Sequence, residues 1–369
     1  MYRLALGNDP VTGKMVRKTW TFRAKNKTMA GRIADELRGS LKPTEVIGTD
    51  AAVSVLFDEW LRHLKAQGRA VTTLHEHRRS IEKNINPTIG AIPLKDLGVR
   101  DLDMLYDKLL TRNPPLSASS VQRCHRVISA ALRQAVTWGW LDVNPADRAT
   151  IPRSRAKAII APTTQQVQEL TAALHLVNPV YGDACSLATV TGARRGELCA
   201  LRWTDLDGDV LLITKSIYKI GHEYGVKSTK SGLDRPVVLG SQAMAVLKRR
   251  RAEQFELAQK VGVSLPADAY ILSTWPDGSR PLNPDTLTRA FGRVAQRLGM
   301  PEIHFHSLRH YAATAMMARG ISAKDTADRL GHVDPTMTLR VYAHATHERQ
   351  RAAADVLDLS LETTTTPQP

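Results

Sequence analysis

Aromatic residues make up only 5% of this 369-residue chain. That scarcity argues against a surface that binds single-stranded nucleic acid mainly by stacking bases on aromatic rings. Cysteine is nearly absent. Cys124, Cys185 and Cys199 are scattered and form no CxxC pair, so neither a disulfide framework nor a cysteine zinc site is expected, and a reducing cytoplasm suits the chain. No run of about 18 apolar residues occurs, so no membrane span is expected. The opening MYRLALGNDP lacks the charged-then-apolar pattern of a secretory leader. Acidic residues are outnumbered, 36 Asp and Glu against 51 Lys and Arg, for a net charge of +15. Charge of that sign fits a polyanionic partner, either nucleic acid or an acidic membrane surface. What is plentiful is apolar residues, 43%, enough for real cores, and the length suggests two or three domains.

The positive charge is uneven. Residues 1–48 hold 10 Lys and Arg against 4 Asp and Glu, a net of +6; residues 49–152 carry a net of +3 and the remainder +6. The first segment is therefore the most basic per residue. It reads as strand, turn, strand, helix: YRLALG alternates, NDPVTG is turn chemistry, KMVRKTWTFR alternates with cations on one face, and a helix spans about 28–38. Such a ββα unit can lay a basic sheet in a DNA groove or form a solvated edge hairpin. The stretch from Gly7 to Gly13-Lys14 is one residue too long for a phosphate loop, and Met15 stands where Ser or Thr is required.

Residues 50–148 read as all-helical. Val53, Leu56, Phe57, Trp60, Leu61 and Leu64 follow the i, i+3, i+4, i+7 pattern. Leu74, Arg78, Ile81 and Ile85 predict a second helix capped by Thr72 or Thr73. Leu102, Leu105, Tyr106 and Leu109 predict a third, and a fourth runs from about 117 to 138. Arg78, Arg79, Arg123 and Arg126 put cations on these helices, suited to phosphate contacts or to plain solvated faces. Asn144-Pro145 closes the unit, and IPRSRAKAIIAPT reads as a basic linker. Residues 160–358 predict a mixed unit with helices near 164–174, 180–190, 194–202, 241–261, 284–299, 306–319 and 322–330. Strands are expected near 209–215 and 235–239, flanking a hairpin-like GVKSTKSGLD. Residues 359–369 read as a disordered tail.

Four stretches concentrate chemistry: TGARRGELCALRW, STKSGLDRPVVL, FHSLRHYAAT and RLGHVDPTMTLRVYAHAT. In the first, Arg194 and Glu197 share a helix face; in the third, His306 and Arg309 do. His304, His306 and His310 crowd together, but without an HExxH pattern no metal is expected. Together the boxes resemble those of the tyrosine recombinases, the phage-integrase group: Arg194 in TGAR, Lys230 in TKSG, His306 and Arg309 in HSLR, His332 in LGH and Tyr342 in VYAH, in the family's order.

That resemblance implies an α+β, mostly helical, multidomain fold. It divides into an arm-type DNA-binding domain over 1–45, a four-helix core-binding domain over 50–148 and a catalytic domain over 160–358. The family's arm domain usually has three strands, and this stretch shows two. The resemblance implies a site-specific integrase of a phage or integrative element that works without metal or cofactor. Tyr342 is the nucleophile. Arg194 and Arg309 clamp the phosphoryl oxygens, His306 takes the tyrosine proton, Lys230 protonates the leaving 5′ oxygen, and Glu197 orients the arginines. Lys227 is an alternative to Lys230, which the resemblance favours because it lies five residues before Arg235. His332, a Trp in some relatives, is expected to pack and hydrogen bond. DNA contacts are expected at Arg23, Lys25, Lys27, Arg78, Arg79 and Arg123. The expected partners are double-stranded attachment-site DNA, three further copies in a homotetramer, a host DNA-bending protein and an excision factor, in the cytoplasm of a bacterial host at its nucleoid. An Xer-type resolvase shares this chemistry; the basic N-terminal segment favours an integrase. ISAKDTADRLGHVDPTMTLRVYA also resembles a helix-turn-helix, so a non-enzymatic regulator is the alternative from another class.

Overall fold

A computed structural model describes residues 2–8, 15–24, 29–34, 50–154, 160–221, 223–228 and 234–332. The chain divides into two compact units, Met1–Ala156 and Lys157–Pro369. In the first, strands β1 (Tyr2–Asn8) and β2 (Met15–Trp20) pair antiparallel, Tyr2 opposite Trp20 and Asn8 opposite Met15, with an irregularity between Ala5 and Gly7. A helical segment over 29–34 follows.

The helical part of this unit is built on amphipathic stripes. Helix α1 (Val53–Ala66) buries Val53, Leu56, Phe57, Trp60 and Leu61, one face of a 3.6-residue repeat. Helix α2 (Val71–Ser80) differs from the sequence expectation. It starts after Ala70, not behind a threonine cap, and buries none of its own residues. Its anchors come later, where the chain widens into a π turn over Ile81–Ile85 and a last turn over Asn86–Ile89 that bury Ile81, Ile85 and Ile89. Helices α3 (Val99–Thr111) and α4 (Ala118–Thr137) complete the core with Leu102, Leu105, Ile128 and Leu132, all fully buried. Each such side chain contributes about 1.5–3 kcal/mol by leaving water. The unit closes where Gln122 donates to the Pro152 carbonyl and the Thr150 N–H to Asp103 Oδ1.

The second unit carries helices α5 (Thr164–Val177), α6 (Pro179–Thr191), α7 (Arg195–Ala200), α8 (Ser241–Lys260), α9 (Pro284–Arg297), α10 (Ser307–Ala318) and α11 (Ala323–Leu330). Strands β3 (Leu206–Asp207), β4 (Val210–Ile213) and β7 (Arg235–Val238) form one sheet in the order β3-β4-β7, whereas β5 (Lys215–Ile220) pairs with β6 (Glu223–Ser228) in another. The expected single strand over 209–215 therefore splits at Thr214. The hairpin turn falls at Gly221, left-handed at φ 61°, earlier than GVKSTKSGLD suggested, because KSIYKI and EYGVKS pair with each other. Phe291, Leu287, Ile213, Leu211, Leu198 and Leu308 lie in the core between these elements.

Candidate active site

Two left-handed glycines shape the site. Gly192 (φ 60°) ends α6 and Gly331 (φ 70°) ends α11. A side chain at either would be strained by the backbone; at Gly192 its Cβ would also collide with Leu330, and at Gly331 it would press on Arg235 at 3.0 Å. Both turns aim a carbonyl inward, and each carbonyl receives an arginine: Arg309 Nη1 donates to Gly192 O at 2.7 Å, and Arg194 Nη2 donates to Gly331 O at 3.1 Å.

Glu197 lies at the centre of this cluster, 1% exposed. Arg194 caps α7, so its own N–H and its guanidinium both reach the carboxylate, at 3.0 and 2.8 Å. From β7 the buried Arg235 donates through Nη2 to Glu197 Oε2, the oxygen that also accepts the Arg194 N–H, and through Nε to the Arg329 carbonyl at 3.2 Å. Burial works to raise the Glu197 pKa. The Arg235 bond and charge, with the two Arg194 bonds, overcome it and hold the carboxyl below its usual value. The carboxylate is thus ionised at neutral pH. Three guanidiniums, Arg194, Arg235 and Arg309, share this one negative charge, and the cluster is poised to accept an anion.

Arg309 is 3% exposed, and its Nη2 has no hydrogen-bond partner among the described residues. A buried guanidinium N–H without an acceptor is costly, and a phosphate oxygen is the natural one. Burial first, then Arg194 and Arg235, lower its pKa to about 9, which leaves it charged at neutral pH. Its Nε donates to His332 Nε2 at 3.2 Å. That nitrogen is an acceptor, so His332 is neutral with its proton on Nδ1. Burial, then Arg309 and Arg194, depress His332 to about 4. His306 sits just ahead of α10, its ring edge-on to His310 with centroids 5.0 Å apart. His306 is partly open to solvent; desolvation first, then His310, Arg309 and Arg194, lower it to about 4 as well.

Arg194, Glu197, His306, Arg309 and His332 are therefore brought together. Lys230 and Tyr342 lie outside the described residues, as do Lys25, Lys27 and the tail. Lys227 is half-buried on β6 opposite Ser216, its Nζ 5.6 Å from the Tyr218 ring centre. Arg23, Arg78, Arg79 and Arg123 are exposed. Arg78 stands 3.8 Å from Glu82, while Arg79 and Arg123 line one groove of about 310 Å³ with Lys83 and Arg112. The sequence reading missed Arg235 as a member of the cluster. Its signal was period 2: in RPVV, Arg235 alternates with Pro236 in step with the buried Val237, which places an arginine on an inward face. Among the described residues no three His, Cys, Asp or Glu cluster as metal ligands, and no helix is long and apolar enough to cross a membrane.

Comparison with known proteins gives this arrangement a family. The model of the phage integrase family matches residues 162–349, and the chain belongs to that family. It is a tyrosine site-specific recombinase. It is similar to a tyrosine recombinase XerC-like protein of Caldanaerobacter subterraneus subsp. tengcongensis, 23% identical over 96% of this chain and 94% of the relative. In fold it is similar to the Tn1549 transposon integrase solved with transposon right end DNA, at a TM-score of 0.69 and 22% identity, covering 83% of this chain and 99% of that one. It is also similar to a lambda integrase solved as a tetramer on a Holliday junction, at a TM-score of 0.61 and 20% identity, covering 90% of each chain.

Proposed function

We propose that this recombinase integrates a phage or other mobile element by cutting and rejoining double-stranded DNA, with Tyr342 as the nucleophile. The observation that carries the reading is the Nη2 of Arg309, unpartnered among the described residues, beside Arg194, both arginines held by fixed carbonyls next to Glu197. Two such guanidiniums grip the non-bridging oxygens of a phosphodiester and stabilise the charge that grows there in the transition state. The Tyr342 oxygen then bonds to phosphorus as the bond from phosphorus to the 5′ oxygen breaks. The tyrosine proton passes to His306, neutral in the free enzyme, and the leaving oxygen takes one from Lys230. The product is a 3′-phosphotyrosine and a free 5′ hydroxyl, so the phosphoester is retained and a second 5′ hydroxyl reseals it without ATP. The guanidiniums supply the charge that divalent metals supply in other phosphoryl-transfer sites.

Four strand exchanges need four nucleophiles, and each chain carries one Tyr342; a tetramer on two DNA sites follows, with the tetrameric lambda integrase as support. Arg79 and Arg123, in one basic groove with Lys83 and Arg112, favour phosphate contact over a plain solvated face. Arg23, Lys25 and Lys27 belong to a separate arm-site contact, and a DNA-bending protein and an excision factor assist.

The test is a nicked core-site duplex, chosen by sequencing the element's recombination junctions, whose short fragment diffuses away after cleavage. In excess chelator, wild type should give a covalent band that survives denaturation. Tyr342→Phe should give none while binding the same DNA. Lys230→Ala, and not Lys227→Ala, should be rescued by a 5′-sulfur leaving group, which needs no proton. A covalent band from Tyr342→Phe would refute the assignment.

A further inference from the structure

The residue after Arg194 points away from the Glu197 cluster and reaches a different element. Arg195 Nη1 donates to three acceptors at the start of α9: the Pro284 carbonyl at 3.2 Å, Asp285 Oδ1 at 3.3 Å and Thr288 Oγ1 at 2.6 Å. The Thr288 hydroxyl in turn donates to the Pro284 carbonyl at 3.1 Å. One guanidinium thus fastens the first turn of α9 to the first residue of α7, directly beside the arginine that caps it.

Helix α9 has two faces. Leu287, Ala290, Phe291, Val294 and Ala295 are buried. The opposite face carries Arg289, Arg293 and Arg297, four residues apart and therefore in one row, all exposed. No ion pair among the described residues involves them. Beside them Gly292 would admit a Cβ without meeting any atom within 4 Å. Arg289 makes only a long bond to Thr286 Oγ1, at 3.5 Å, and a row of guanidiniums without ion pairs among the described residues, around a glycine, lets a phosphate backbone come close.

We infer that Arg195 is a positioning residue that ties a DNA-contacting helix, α9, to the turn presenting Arg194. This rests on the recombinase reading above and extends it. DNA gripped by the outer face of α9 and the phosphate held by Arg194 are then referred to one rigid joint. Slack in the joint misplaces the scissile phosphate without releasing the DNA.

The experiment measures binding and single-turnover cleavage of the nicked core-site duplex by full-length variants. Arg195→Ala should slow covalent-complex formation at saturating DNA by about tenfold or more, the scale of a small misplacement of reacting groups, with Kd moved less than about threefold. Arg195→Lys should restore part of the rate. Thr288→Val should slow cleavage in the same way, and the double variant should be no slower than Arg195→Ala, as expected for one joint. Arg293→Ala should instead weaken binding and lower the salt slope by about one, a loss of affinity that Arg195→Ala and Thr288→Val do not share. Should Arg195→Ala melt early, Thr288→Val with Arg293→Ala carries the comparison. A saturated rate equal to wild type in both Arg195→Ala and Thr288→Val, or a loss explained wholly by weaker binding, overturns the inference. Failure of wild type itself to form the covalent complex would instead strike the recombinase reading on which it stands.

Discussion

Replacing Glu197 by Gln tests whether the cluster is held by its one negative charge. The change keeps side-chain volume, but one oxygen becomes an NH2 that donates toward guanidiniums that also donate. The amide oxygen would face the Arg194 N–H and Arg235, which share one oxygen now, so the NH2 would face the Arg194 guanidinium, and Arg235, 4% exposed with Nη1 unpartnered among the described residues, would lose its counter-charge. Removing one partner from a buried ion pair costs about 3–5 kcal/mol, mostly because the remaining charge stays buried and uncompensated. At about 2–4 °C per kcal/mol for a domain of this size, the melting temperature of the second unit should fall by roughly 6–20 °C at pH 7, followed by circular dichroism. The pH dependence has a definite sign. The folded-state pKa of Glu197 is lowered, so its stabilisation is present above the pKa of the unfolded carboxyl and is lost as pH falls through the folded value. Wild type should lose its advantage over Glu197→Gln in acid, below pH about 4.5. Replacing both partners by apolar groups, Glu197→Leu with Arg235→Met, should recover much of the stability and leave cleavage slow, because Arg194 has still lost its anchor. A Glu197→Gln melting temperature within about 2 °C of wild type would refute the reasoning.

Arg309→Ala should slow covalent-complex formation by roughly 10²-fold or more while DNA affinity, read by fluorescence anisotropy, changes little; equal losses in both would assign Arg309 to binding alone. Both site histidines, depressed to about 4, should be neutral in the free enzyme from pH 5.5 to 8. Because their folded pKa values lie below the unfolded one near 6.5, they should cost stability as pH drops from about 6.5 toward 4, and His306→Asn with His332→Asn should flatten that part of the curve. Bound DNA places an anion among the arginines and should raise both pKa values, visible as shifted imidazole resonances on adding a duplex; unchanged resonances would place the phosphate elsewhere. Gly331→Ala forces a Cβ into left-handed backbone against Arg235 and should cost about 1–2 kcal/mol, with slower cleavage because the carbonyl that holds Arg194 is displaced.

How far the sequence alone reaches depends on the range of the interaction. Helix faces are local, and the predicted helices of the second unit lie within a few residues of the observed ones: 284–299 against Pro284–Arg297 and 322–330 against Ala323–Leu330. Arg194 with Glu197, and His306 with Arg309, are legible as pairs three residues apart, although Arg194 and His306 cap their helices instead of lying on a helix face. Strand pairing is not local. KSIYKI could have extended β4 or folded on EYGVKS, and only the left-handed Gly221 and the partner strand decide it. The missing cap of α2 has a similar origin. Its stability comes from Ile81, Ile85 and Ile89 beyond the regular helix, and tertiary burial outweighs a local cap of about 1 kcal/mol.

Arg235 shows what kind of residue a motif reading passes over. It lies 38 residues from Glu197 in sequence, so no spacing rule links them, and its local cue, an arginine on the inward side of a short strand, also fits a solvated edge. Only the fold reveals its part: a second cation on Glu197 whose Nε grips the carbonyl of Arg329. Arg329 itself donates to the carbonyls of Val190, at the end of α6, and Val238, at the end of β7. Three residues after Arg329 comes His332, and Tyr342 ten further on. Arg235 and Arg329 thus tie the end of α11 to the end of α6 and to β7, so the residues just before His332, which precede the proposed nucleophile Tyr342 in sequence, are held by the same cluster that holds Arg194.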